Sequence, residues 1–564
     1  MKRIDLLLPL LLTVLNATAQ EPSTETMNDI NGVRDLTLDS LAIANQARPV
    51  SGSSRRGGNP VLFLIGNSTM RNGTLGNGNN GQWGWGYYAQ DFFDPQKITV
   101  ENHALGGTSP RTFYTNLWQP VLEGIRPGDY VILELGHNDN GPIDRDRARS
   151  SYKGPDGKQP LGEDSVLVTI QETGRQEWVF SFGGYLRKYV ADIRARGATP
   201  ILLTLTPRNA YEPDDSARID RKLTTFTPWI KAMAEELGTP LIDLNDISAT
   251  KLEAYGPWKT NYHFFGDKIH SSAFGARMNA ASCAEGIAAC DDPQVAGLKA
   301  CLIEDKVHPK SLKETGIYNV KPTKKGKTSK KKKKPTVFLT GDSTVKNEDR
   351  NEGGMWGWGA QAYTVFDEDK CTVINAAKAG RSTRTFLQEG RWDEVYRSIE
   401  PGDFVLIQFG HNDIGPIDRD KERGVIACTA DTCHVYQLAS TGQYQVIYSF
   451  GWYLRKFIQD VREKGGTPIL VSLTPRNEWP GGKVERRNDS YGTWYREVVE
   501  QTGVDFIDLH NITADALDEM GQEAAKEMFN HDHTHSSLAG ARLNAKGIAK
   551  GLREINSPLR KLLK

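Results

Sequence analysis

Long stretches of this chain occur twice, in the same order. "PGDYVILELGHNDNGPIDRDR" (127–147) returns as "PGDFVLIQFGHNDIGPIDRDK" (401–421), and "FSFGGYLRKYVADIRARGATPILLTLTPRN" (180–209) returns as "YSFGWYLRKFIQDVREKGGTPILVSLTPRN" (448–477). "HSSAFGARMNA" (270–280) returns as "HSSLAGARLNA" (535–545). The interval far exceeds the roughly 20–50 residues of a solenoid unit, so each copy is a whole domain with its own core. A chain of 564 residues is in any case too long for one ordinary core. The copies are read as domains over 59–305 and 335–564, joined by a segment over 306–334.

The joining segment contains "KPTKKGKTSKKKKKPT" (321–336), which cannot bury apolar surface and repels itself. That composition predicts an extended spacer, although an acidic polysaccharide would also be attracted to it. The chain opens with "MKRIDLLLPLLLTVLNATAQ", a basic start and a short apolar stretch closed by A-T-A at Ala19. This is the pattern of a cleaved secretory signal over 1–19, which predicts a secreted or periplasmic protein. A polar extension over 20–58 follows and is expected to pack loosely. The leading apolar stretch is too short to span a bilayer, and no later one qualifies.

Basic and acidic residues balance at 70 each, so no global charge draws the chain to nucleic acid or acidic membranes. The six cysteines of an exported protein can pair. Spacing allows Cys428 with Cys433 and Cys290 with Cys301, while Cys283 and Cys371 read as buried thiols. No CxxC pair or HExxH stretch is present, so neither a metal nor a cofactor is expected.

Within each half, short apolar runs such as "TVFLTG", "DFVLIQFG" and "TPILVSLTP" end at Gly or Pro and read as buried strands. "SFGWYLRKFIQDVREKG" instead puts Trp452, Leu454, Phe457, Ile458 and Val461 on one helical stripe, closed by Gly465. Alternating strands and helices imply a parallel sheet covered on both faces, with ligands beyond the strands' C-terminal ends. "GDST", "GHND" and "TPRN" each follow such an end, so three polar clusters converge on one edge.

One of them places Ser343 at a sharp turn after a strand. Far along the chain, "NHDHTHSSLAG" (530–540) sets Asp532 and His535 three residues apart on one loop. A carboxylate at that spacing orients the imidazole, which can then act as base for a serine distant in sequence. "AKAGRSTRTF" offers the Gly380 N–H and "GHND" the Asn412 amide, both suited to a developing oxyanion beside the Ser343 N–H. The Gly-x-Ser-x-Gly elbow is missing.

GDS, a glycine block, GxND and DxxH, in this order, resemble the four blocks of the SGNH (GDSL) hydrolases. The likeness is closer to the rhamnogalacturonan acetylesterase type, on "GDST", "MWGWGA", "AGRSTRTF", "GHND", the "TP" strand end before Arg476, and "DHTHSS". It covers most of each domain. The resemblance implies two tandem flavodoxin-like three-layer α/β/α domains, a metal-free esterase, and an acetylated pectic polysaccharide as substrate. It implies Ser343 as nucleophile, His535 as base and acid, Asp532 as its orienter, and Gly380 and Asn412 as oxyanion donors. In the first copy the matching positions are Ser68, His270, Asp267, Gly107 and Asn138. That copy departs at Asn67, where the pattern has Asp, at "LGGTSPRTF", and at "DKIH", where Lys268 replaces His533. The expectation is a working triad in both copies. The alternatives are a first domain that only binds polysaccharide, or another ester such as acetylated xylan. No long apolar lid supports a lipase. Trp356, Trp358 and Trp479 are candidates for stacking on sugar rings, the first two equally for the core.

Overall fold

The structure is a computed structural model and describes residues 47–73, 75–221, 225–315, 334–346 and 352–564. The proposed signal over 1–19, most of the polar extension and the lysine run up to 333 lie outside the described residues.

Each half builds one five-stranded parallel sheet. The first uses Val61–Gly66, Thr99–Asn102, Tyr130–Glu134, Thr199–Leu203 and Leu241–Ile242. The second uses Thr336–Gly341, Thr372–Asn375, Phe404–Gln408, Thr467–Val471 and Asp505–Ile507. In both, the second strand in sequence forms an edge beside the first, and the third, fourth and fifth follow on the other side. The order therefore reverses between the first and third strands, which opens the crevice where doubly wound sheets bind ligands.

Side-chain alternation along the first strand explains the layers. Val61, Phe63 and Ile65 enter one core with Phe182 and Tyr185. Leu62 and Leu64 enter the opposite core with Ala276 and Ala280. A strand buried on both faces needs apolar residues at every position, and all six of Val61–Gly66 are buried. The Phe450–Glu463 helix buries Trp452, Leu454, Phe457, Ile458 and Val461, the stripe its sequence predicts. Ser449 caps its start by accepting the Trp452 N–H at 3.1 Å. Gly465, at φ 72°, supplies the left-handed residue that ends it.

Two connecting segments pack more tightly than their composition suggests. Residues 47–58 lie on the first domain: Glu101 accepts the N–H groups of Gly52 and Ser54, both at 2.8 Å, and Arg55 pairs with buried Asp129. Before the second domain, Lys313 reaches the matching Asp403 at 2.8 Å, and Leu312 joins that domain's core. A buried acid at the start of each third strand needs a cation, and the preceding segment brings it.

The domains also meet each other. Lys259 of the first is almost fully buried against Asp460 (3.1 Å) and Glu463 (3.3 Å) of the second, over the Tyr396 ring. Beside it Tyr262 and Phe274 pack on Trp452, which stacks on Tyr448 at 3.7 Å. The second domain's hairpin, Cys433–Gln437 with Tyr444–Tyr448, reaches the first domain at its turn. There the Tyr444 N–H donates to the Asn77 carbonyl at 3.3 Å, and Gln443 bonds the Tyr87 hydroxyl. All six cysteines are free thiols, so neither pairing allowed by spacing is formed.

Candidate active site

The serine of each copy sits one residue beyond the buried Asn67 or Asp342, in a turn that this residue closes. Asp342 Oδ1 accepts the Thr344 N–H and hydroxyl, both at 2.9 Å, and Asn67 Oδ1 accepts the same groups of Thr69 at 3.1 and 3.0 Å. Such a turn holds the intervening Ser343 or Ser68 at the sheet's C-terminal edge.

The histidine arrives from the other end of the domain. "HSS" places it immediately before a long helix whose N-cap is the second serine, Ser272 or Ser537. Gly275 and Gly540 allow that helix to press on the preceding loop. A Cβ on either would meet a carbonyl oxygen at 1.9 Å, of His263 or Met528. The loop is then fixed from inside: Asp532 Oδ1 accepts the N–H groups of Thr534 and His535, each at 2.7 Å. Its Oδ2 meets His535 Nδ1 at 2.6 Å, and His535 Nε2 lies 3.0 Å from Ser343 Oγ. The first copy repeats this, with Asp267 Oδ2 to His270 Nδ1 at 2.6 Å and His270 Nε2 to Ser68 Oγ at 2.9 Å. Burial works to raise both aspartates, but the histidine ring and the loop N–H donors outweigh it and hold each at about 2. The carboxylate is thus ionised wherever the imidazole works.

Three candidate donors belong to each copy: the serine N–H, a glycine N–H and an asparagine amide. The N–H groups of Ser68, Gly107, Ser343 and Gly380 have no acceptor among the described residues. Asn138 and Asn412 each give one amide hydrogen to the main chain, to the Thr108 carbonyl at 3.0 Å and the Arg381 carbonyl at 3.1 Å. The other hydrogen of Asn138 has no acceptor among the described residues, whereas the Asn412 nitrogen also lies 3.5 Å from Asp342 Oδ2. Gly107 and Gly380 have φ of 79° and 75°, a conformation in which a side chain would be strained.

An arginine not singled out in the sequence joins these donors. Arg423 Nη1 donates at 2.8 Å to both the Gly380 carbonyl and Asn412 Oδ1, fixing which way the Asn412 amide faces. Arg149 donates to the Gly107 carbonyl at 3.0 Å. Each follows two non-glycine residues at positive φ, Asp146 and Ala148 or Asp420 and Glu422. Buried Arg111 and Arg384 pin these loops through main-chain carbonyls on either side. The two arginines lie just beyond the repeat over 127–147 and 401–421, where "DRDRAR" and "DRDKER" continue the likeness.

Of the aromatic candidates, Trp358 is core, donating to Gln408 Oε1 at 2.6 Å. Trp356 and Trp479 are half-buried, and Trp479 donates to Asn477. Lys268 and His533 occupy matching places: their carbonyls accept the N–H groups of Asn209 and Asn477. Among the described residues no cluster of His, Cys, Asp or Glu is arranged to hold a metal, and no helix is long and apolar enough to cross a membrane.

Comparison with known proteins agrees with the doubling. The rhamnogalacturonan acetylesterase of Emericella nidulans is 27% identical over 217 residues, covering 38% of this chain and 84% of that protein. Rhamnogalacturonan acetylesterase RhgT of Bacillus subtilis is 33% identical over 244 residues, covering 40% of this chain and 94% of its own. Among solved structures, the acetylxylan esterase Axe2 of Geobacillus stearothermophilus matches 40% of this chain and 94% of its own, at 20% identity and a TM-score of 0.29. The profile of the GDSL-like lipase/acylhydrolase family matches twice, over residues 64–278 and 339–543. With a parallel sheet behind each match, the chain belongs to the GDSL-like lipase/acylhydrolase family, carries its fold twice in tandem, and is a carboxylic-ester hydrolase.

Proposed function

We propose that this chain is an exported carbohydrate esterase that removes O-acetyl groups from pectic polysaccharide of the rhamnogalacturonan type, with a working site in each domain. The observation that carries this reading is the hydrogen-bonded chain from serine through histidine to aspartate in both copies. The relatives named for rhamnogalacturonan acetyl esters support the substrate class. The pattern over 1–19 supports export, and the repeats support the division into domains over 59–305 and 335–564.

The chemistry is acyl transfer. His535 Nε2 takes the Ser343 proton as Oγ attacks the acetyl carbonyl, while Asp532 steadies the imidazolium. The Ser343 and Gly380 N–H groups and the Asn412 amide receive the charge that develops on the carbonyl oxygen. The imidazolium then protonates the departing sugar hydroxyl. Water, deprotonated by the same nitrogen, releases acetate from the acyl-serine. Ser68, His270, Asp267, Gly107 and Asn138 repeat these roles in the first copy.

The test is acetate release from acetylated rhamnogalacturonan and acetylated xylan by the full chain, by Ser68→Ala, by Ser343→Ala and by the double variant. Each single variant is expected to retain release from rhamnogalacturonan, and the double variant none. Release from xylan alone would transfer the substrate assignment. Loss of all activity in Ser343→Ala would make the first domain a binding module.

A further inference from the structure

The residue before the serine is Asn67 in one copy and Asp342 in the other, and a second exchange lies beside it. Gly66 pairs with Glu134 across the first sheet, and Gly341 pairs with Gln408 across the second. The first copy therefore holds an amide and then an acid, and the second an acid and then an amide. Each site keeps one fully buried carboxyl of this pair, on opposite members.

The hydrogen bonds connect the two positions. The Thr69 hydroxyl, which bonds Asn67 Oδ1, also lies 3.2 Å from Glu134 Oε1. Glu134 accepts the Thr206 N–H at 3.0 Å and Trp85 Nε1 at 2.8 Å as well. In the second copy the Thr344 hydroxyl bonds only Asp342 among the described residues, while Gln408 accepts from Trp358 and donates to the Ser472 carbonyl at 2.7 Å. A hydroxyl has one proton to give. Burial lifts Glu134 to about 7, so its protonated form can donate to Thr69 while Thr69 donates to Asn67. Asn67 Nδ2 is buried without an acceptor among the described residues. Asp342 Oδ2 faces the Asn412 amide at 3.5 Å.

We infer that Glu134 is a positioning residue for the Ser68 site, supplying through Thr69 the buried carboxyl that Asn67, which closes the turn, lacks and that Asp342 itself carries in the second copy, and that the two exchanges are coupled. The inference rests on Ser68 being a nucleophile. Asn67→Asp alone would set two buried acids on either side of one hydroxyl, where both cannot ionise. Glu134→Gln alone would leave donors that now share two carboxylate oxygens with a single amide oxygen. Together the substitutions recreate the second copy's pair.

The experiment uses the full-length Ser343→Ala chain, with Ser68→Ala added to set the floor. Hydrolysis of p-nitrophenyl acetate and the thermal midpoint are followed in Asn67→Asp, Glu134→Gln and the double variant. Each single substitution is expected to lower kcat about tenfold with KM unchanged, and the double to return within about threefold of the parent. Losses that multiply in the double variant overturn the coupling, even if its midpoint recovers. A parent already at the floor would instead refute Ser68 as a nucleophile. The midpoints then decide the coupling alone: recovery in the double variant upholds it, and additive shifts overturn it. Asp342→Asn and Gln408→Glu, in a Ser68→Ala chain, are expected to behave the same way.

Discussion

Counted from the histidine of each copy, Lys259, Tyr262 and Phe274 of the first domain correspond to Ala524, Glu527 and Ala539 of the second. The first set docks on the partner domain; the second set docks on nothing among the described residues. Conversely, Trp452 stands where the first domain has Gly184, and only Trp452 receives those rings. The serine, histidine and aspartate keep their geometry to within 0.1 Å at each hydrogen bond, 2.9 against 3.0 Å and 2.6 against 2.6 Å. The copies thus differ where they touch each other, while the hydrogen-bonded chain from serine to aspartate is the same in both. An asymmetric interface of this kind joins two unlike faces, so it can fix one domain on the other without requiring the reverse contact.

The sharpest way to break the likeness is to remove the orienting acid from one site at a time. Asp532→Asn in a Ser68→Ala chain, and Asp267→Asn in a Ser343→Ala chain, should each lower kcat by about 1,000- to 10,000-fold. A large loss in only one of the two, measured by acetate release, would mean that the sites do not share a mechanism. Arg423→Ala should be next, lowering kcat of the second site about 100-fold with little change in KM, because it releases Gly380 and Asn412 together. Arg149→Ala frees only the Gly107 carbonyl and should cost about tenfold. Equal losses would show that the extra bond to Asn412 is without consequence.

Lys259→Ala addresses the interface. It leaves Glu463 without its cation and Asp460 with Lys456 as its remaining one, and should destabilise the docked pair by about 3 kcal/mol in calorimetry. Lys313→Ala, at a more exposed pair, should cost less.

The smallest effect is a dependence on pH. A carboxyl raised from 4.5 to about 7 binds more protons folded than unfolded, so its contribution to stability falls as pH rises through that window. The first domain's midpoint should therefore drop more between pH 4.5 and 7 in the parent than in Glu134→Gln. Parallel curves would show that Glu134 does not titrate there.

The sequence made the strand ends legible because both signals are local: an apolar run stops at glycine, and a polar cluster follows. Asp532 and His535 are also local, being three residues apart on one loop. Arg423 was not legible, since its partners Gly380 and Asn412 come from other loops and only the folded sheet edge brings them together. The Glu134 and Gln408 exchange looked like a neutral letter at the end of a strand. Its meaning depends on the register that sets each beside the glycine before the serine. Composition suggested loose packing for residues before the first domain, but Arg55 reaches a buried acid that polarity alone does not reveal.

Active-site titration tests the central claim most directly. Diethyl p-nitrophenyl phosphate phosphorylates a serine activated by a neighbouring imidazole and spares ordinary surface hydroxyls, and intact mass counts the adducts. Two adducts on the native chain are expected, one each on Ser68→Ala and Ser343→Ala, and none on the double variant. Saturation at a single adduct, located on Ser343 with Ser68 unmodified, would contradict two working sites.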